Sequence, residues 1–80
     1  MKILEPTAFF KQLGKRIRKF RKEQELTQAQ VAQKLGVTQQ LIATYETGKR
    51  RLPVLALIKI ADILNISVDD LLGIEKKSKP

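Results

Sequence analysis

Residues 27–47, TQAQVAQKLGVTQQLIATYET, decide how this chain is read. Thr27 followed three residues later by Gln30 is the signature of a capping box, so a helix starts at about Gln28. Val31, Ala32 and Leu35 then fall on one face at helical spacing. Gly36 comes next, the residue that best tolerates the left-handed conformation that ends a helix. Val37 can plug the corner, and Thr38 can cap a second helix. Turning about 100° per residue, Ile42 and Tyr45 share one side of that helix, with Leu41 at its margin. Gln39, Gln40, Ala43 and Thr44 gather on the other side. Two short helices meeting at a glycine corner, the second with a small and amide-rich face, make a unit that can lay one helix in the major groove of DNA. Gln pairs bidentately with adenine through N6 and N7 and can also donate to guanine. An ordinary amphipathic hairpin would share any one of these features. It would not share their ordered combination.

The remainder of the chain supports that unit. Eighty residues with 42% hydrophobic content suffice for one small domain. There is no Cys and no His, so no disulfide framework, thiolate metal site or imidazole catalyst is expected. Carboxylates are scattered and no glycine-rich phosphate cradle occurs, which argues against an enzyme. Neither a cofactor nor a small-molecule ligand is expected. Sixteen Lys and Arg against eight Asp and Glu leave a formal charge of +8, which favours a polyanionic partner. The longest apolar run, Val54 to Ile58, is too short to span a bilayer. The first ten residues do not read as a signal peptide, so a cytoplasmic protein without a membrane partner is the simplest inference.

Spacing predicts five helices, no strands, and an all-α fold. Residues 1–6 are read as an N-terminal arm, with Thr7 capping helix 1. Phe10, Leu13, Ile17 and Phe20 line that helix to about Gln24, and Gly14 can admit a close neighbour. Gly48 ends helix 3 and opens a basic loop, Lys49-Arg50-Arg51. Pro53 suits the first turn of helix 4, whose core face is read as Val54, Leu57, Ile58, Ala61 and Leu64, with Asn65 as its C-cap. Ser67 caps a short helix 5, with Asp69 and Asp70 near its positive end. Leu71 and Leu72 close the core and Gly73 stops the helix. The domain is thus expected over residues 7–73, with the helix-turn-helix at 28–47, a recognition helix at about 39–47, and a flexible basic tail at 74–80.

Taken together, Arg16-Ile17-Arg18, Arg21, Thr27-Gln28, Val31-Ala32, Leu35-Gly36-Val37, Ile42, Tyr45-Glu46, Gly48-Lys49 and Ile60-Ala61 resemble the phage repressor/Cro type, or XRE family, of helix-turn-helix proteins. The resemblance covers about residues 13–73, and Thr38-Gln39-Gln40 is especially similar to the recognition helices of lambdoid phage repressors. It implies a compact five-helix, lambda-repressor-like domain that binds an operator as a homodimer. By that similarity Gln39, Gln40 and Thr44 would face bases. Gln28 would meet a phosphate, and Arg21 with Glu46 would form an ion pair orienting the recognition helix. Leu41 stands where a polar residue is common in the family, and Thr44 is short for a base-reading position.

Between Lys11 and Lys22 lie seven basic residues and no acid. Such a run is usually a solvated face, but like charges at i, i+4 repel mildly and a nearby polyanion would relieve them. Lys49, Arg50 and Arg51 are better phosphate candidates because they leave the recognition helix directly. Thr38 and Arg21 complete the expected backbone contacts. Lys76, Lys77 and Lys79 read as a solubilising tail. Leu55 and Ile63, beside Lys59, exceed what one core stripe needs, and with Ile66 and Ile74 they are candidate dimer contacts. The functional expectation is therefore a sequence-specific transcriptional regulator, a dimeric repressor reading a palindromic operator. The alternative is the antitoxin of a toxin–antitoxin pair, with a toxin as protein partner. A controller of a restriction–modification system is closely allied.

Overall fold

Local side-chain chemistry sets the boundaries of four of the five helices in the computed structural model, which describes residues 5–74. These are α1 (Pro6–Glu23), α2 (Gln28–Leu35), α3 (Gln39–Thr47), α4 (Val54–Ile63) and α5 (Val68–Leu72). There is no strand among the described residues, and the fold is all-α. Thr27 and Gln30 form the reciprocal capping box: Thr27 Oγ1 accepts from the Gln30 N–H at 3.0 Å, and the Gln30 side-chain oxygen accepts from the Thr27 N–H at 2.8 Å. Thr38 and Ser67 cap α3 and α5 through their hydroxyls. The start of α1 differs from the expected Thr7 cap. Pro6 is its first residue, and the Glu5 carboxylate accepts from the Ala8 N–H at 3.4 Å. Proline loses nothing at that position, because its missing N–H would have no helical partner there. Pro53 lies one residue ahead of α4 and offers no capping side chain.

The helix ends share one solution. At each, two N–H groups just past the last turn double back onto carbonyls of that turn. The turn residue is left-handed: Gly36, Gly48 and Gly73, but also Glu25 (φ 57°) and Asn65 (φ 58°). Asn65 therefore follows the cap, which is Leu64.

Helix α3 packs on both α1 and α2, while α5 joins α1 and α4 beneath. The shared core is Leu13, Ile17, Val31, Ala32, Ile42, Tyr45, Ile60, Ala61, Leu64 and Leu71. The α1–α3 approach depends on Gly14. A Cβ there would sit 2.4 Å from the Glu46 carbonyl oxygen and 2.5 Å from that of Tyr45, so only glycine lets the recognition helix lie this near.

The expected core face of α4 needs correction. Val54 is 73% exposed and Ile58 49% exposed, whereas Ile60 is fully buried. The inward stripe is Leu57, Ile60, Ala61 and Leu64. Both stripes obey helical spacing in so apolar a helix; packing against α2 and α5 decides between them. No helix among the described residues is long and apolar enough to cross a membrane.

Candidate nucleic-acid interface

The α2–α3 corner is closed by backbone hydrogen bonds rather than by side chains. Gly36, at φ 81°, donates to the Gln33 carbonyl at 3.3 Å, and Val37 donates to that of Ala32 at 3.0 Å. Val37 is half-buried against the core, so the corner is plugged as expected. The outward face of α3 then follows from helix geometry. Ile42 and Tyr45 are buried, Gln39 and Gln40 are exposed, and Ala43 and Thr44 are half-buried. Thr38, Gln40, Leu41, Thr44 and Arg50 line one shallow depression of about 270 Å³. Two expected base-facing residues, the α3 cap and a loop arginine thus meet on a single surface, with Gln39 on the first turn beside it. The Thr44 hydroxyl donates to the Leu41 carbonyl at 2.7 Å. Its proton is committed to the helix, leaving its methyl group and oxygen lone pairs as outward chemistry.

Behind this face lies a buried polar network that holds α3 against α1 and α2. Arg21 Nε donates to Glu46 Oε2 at 2.6 Å and Arg21 Nη2 to Glu46 Oε1 at 3.1 Å, a two-pronged pair. Arg21 Nη1 donates to the Leu26 carbonyl at 2.8 Å, tying in the α1–α2 turn. Gln28 Nε2 donates to Glu46 Oε1 at 3.0 Å. Among the described residues no buried side-chain polar atom lacks a partner, the condition under which such a network rigidifies a structure rather than weakening it.

This geometry corrects one expectation and refines another. Arg21 is only 8% exposed and its guanidinium is engaged by Glu46 and Leu26, so it is placed in the network behind the face and not among the exposed cations. Nor is the pair a surface one: Glu46 is 6% exposed. Gln28 is half-buried with one amide hydrogen on Glu46, and its amide carries a second. Membership of Gln28 in the network was not legible in the sequence. Polarity at the first position of a helix has an ordinary explanation, and Glu46 lies eighteen residues away.

The loop after α3 carries its three cations outward: Lys49, Arg50 and Arg51 are all exposed. Neither α2 nor α3 has an acidic residue in its first turn, so neither helix offsets its positive end with an acid of its own. On α1, Lys11, Lys15, Arg18, Lys19 and Lys22 are exposed. Arg16 is half-buried, and a Cβ on Gly73 would lie 2.3 Å from its guanidinium, which places that cation at the negative end of α5. Among the candidate dimer residues, Leu55 is 61% exposed and the neighbouring Val54 and Ile58 join it. Ile63 and Ile66 are partly buried against the core, and Ile74 is half-buried. Lys76, Lys77 and Lys79 lie outside the described residues.

A model of the family described as Helix-turn-helix matches residues 17–71, more than half of the chain. The uncharacterised HTH-type transcriptional regulator YazB of Bacillus subtilis is 45% identical over 64 residues, covering 79% of this chain and 91% of YazB. The uncharacterised HTH-type transcriptional regulator YqaE of the same organism is 41% identical over 63 residues, again 79% of this chain, and the chain spans about half (54%) of YqaE's length. Among solved structures, SinR, the master regulator for biofilm formation, crystallised in complex with DNA, superposes with a TM-score of 0.68 at 31% identity, covering 75% of this chain and 97% of that one.

Proposed function

We propose that this chain, which belongs to the helix-turn-helix family of DNA-binding transcriptional regulators of the phage repressor/Cro (XRE) type, acts as a dimeric repressor that reads a palindromic operator in the major groove. The observation that carries the proposal is the face of α3. Gln39 and Gln40 stand exposed on its first turn, with Thr44 one turn on, on a helix locked from behind by Arg21, Glu46 and Gln28. Amides on a rigid helix can discriminate bases; amides on a frayed one average over orientations. In this reading Gln39 and Gln40 bond to base edges. Thr44 offers its methyl group to a thymine methyl. Thr38, Gln28 and the loop Lys49-Arg50-Arg51 hold the sugar-phosphate backbone, which sets register without reading sequence.

A single α3 offers few base contacts, so the proposal includes a second copy. The apolar patch Val54, Leu55 and Ile58 on the outer face of α4 supports it. Lys59 and Asp62 are exposed on the same helix and can pair across a two-fold axis, as an isologous interface requires. Two such chains would place their recognition helices on half-sites about 34–36 Å apart, one turn of DNA. The relatives named above are transcriptional regulators and lend no support to a toxin as partner. Sedimentation of the protein with a duplex carrying one selected site tests the stoichiometry. Two chains per duplex are expected, and one chain at saturation on an otherwise tight site contradicts the dimer.

A further inference from the structure

We propose that Phe10 is a positioning residue for DNA binding: its ring seats the Arg51 guanidinium, which makes the first turns of α1 part of the phosphate-holding surface. The inference rests on the reading that the loop after α3 touches phosphates. Arg51 Cζ stands 5.9 Å from the centroid of the Phe10 ring, within the range of a cation–π contact. The ring is itself fixed. Phe9 packs against it edge-on, with centroids 5.1 Å apart and planes at 87°, and both rings lean on the core. The loop is held at the same place. A Cβ on Gly48 would lie 2.7 Å from Lys11 Cα, so the backbone that leaves α3 runs directly against α1.

Between α1 and the loop opens a cleft of about 380 Å³, lined by Thr7, Phe10, Lys11, Lys49 and Arg51 among others, with no acidic residue in its wall. Among the described residues the one ion pair is Arg21–Glu46, so none of their carboxylates pairs with Arg51. Its ordered neighbour is an aromatic face, which leaves the edge of the guanidinium and its N–H groups for an anion. A long cation already seated on a ring loses less freedom when a phosphate arrives than one that samples its rotamers in water. The Phe10 side chain is read as core by spacing alone; its second role appears only when the loop is placed against it.

The test is a mutant cycle on the full chain with one fixed duplex, measuring affinity across a range of salt. Arg51→Ala should weaken binding and lower the salt slope by about one per chain. Phe10→Leu should weaken binding about two- to fivefold, Phe10→Tyr should bind like the parent, and Phe10→Leu should have no further effect once Arg51 is Ala. If Arg51→Ala leaves affinity and slope unchanged, the phosphate reading of the loop falls and takes this inference with it. If Arg51→Ala weakens binding but Phe10→Leu costs the same with and without Arg51, the positioning role alone is overturned. Should Phe10→Leu fail to fold, side-chain NMR of the parent decides: Arg51 δ-protons shifted upfield by the ring support the seat, and unshifted ones refute it.

Discussion

Replacing Gly14 by Ala sets two physical effects of opposite sign against each other. In a helix interior the substitution is favourable by roughly 1 kcal/mol on propensity alone. Packing opposes it. The new methyl would stand 2.4 Å from the Glu46 carbonyl oxygen, where ordinary contact begins at 3.4 Å, so α1 and α3 must separate by about 1 Å. The obstacle is helix backbone, which has no rotamer to escape into, so the cost belongs at the upper end of the ~1–3 kcal/mol usual for overpacking. The balance is a net loss of about 2 kcal/mol. In a domain this small, each kcal/mol lowers the melting temperature by about 4–8 °C, so Gly14→Ala should melt about 8–16 °C below the parent by circular dichroism. Because the same separation moves the recognition helix against the rest of the interface, DNA affinity should fall even at temperatures where the variant is fully folded. A melting temperature equal to or above the parent's would refute the argument, since it would mean that propensity outweighs a contact the structure says cannot be accommodated.

The other predictions concern single side chains. Glu46→Ala leaves the Arg21 guanidinium buried without its carboxylate and should cost about 3–5 kcal/mol in chemical denaturation; a loss below about 1 kcal/mol, typical of a surface pair, would mean the network is more open than it stands here. Gln39→Ala should weaken binding to a preferred site by about 1–3 kcal/mol and relax discrimination at one base pair, and an equal loss on random DNA would remove Gln39 from base reading. Arg50→Ala should weaken all sequences alike and flatten the salt dependence by about one ion; an unchanged slope takes it off the phosphate list. Glu25, left-handed at φ 57°, carries a strain of ~1–2 kcal/mol that glycine lacks, partly offset by glycine's greater freedom when unfolded. Glu25→Gly should therefore raise stability by roughly 0.5–1 kcal/mol, and a lower denaturation midpoint would contradict this.

The features legible in the sequence are those whose causes lie within a few residues. The Thr27–Gln30 box, the Thr38 and Ser67 caps and the glycines at 36, 48 and 73 place α2, α3 and α5. The buried and exposed sides of α3 follow from its period. What escaped depends on distant partners. In α4 Leu57, Ala61 and Leu64 face inward as expected, but in a helix apolar nearly all round hydrophobicity cannot choose between Val54 with Ile58 and Ile60 to complete the stripe, because the choice is made by α2 and α5. Arg21 sits in a run of cations that reads as a solvated face, and its burial comes from a carboxylate twenty-five residues away. Glu5 rather than Thr7 caps α1 because Pro6 suits the first helical position, which puts the cap two residues earlier. The Arg21–Glu46 pair was implied by the family resemblance, not by spacing, and the hydrogen bonds supply its physical content.

The central claim is that Gln39 and Gln40, on a locked helix, meet base edges. Selection of bound duplexes from a random pool, at near-physiological salt, tests it most directly when run in parallel on the parent and on a Gln39→Ala/Gln40→Ala variant of equal thermal stability. The account predicts that the parent enriches a two-fold symmetric sequence with half-sites one helical turn apart, and that the variant still retains DNA but enriches nothing. A parent that recovers no preferred sequence, or a variant that recovers the parent's motif, contradicts it.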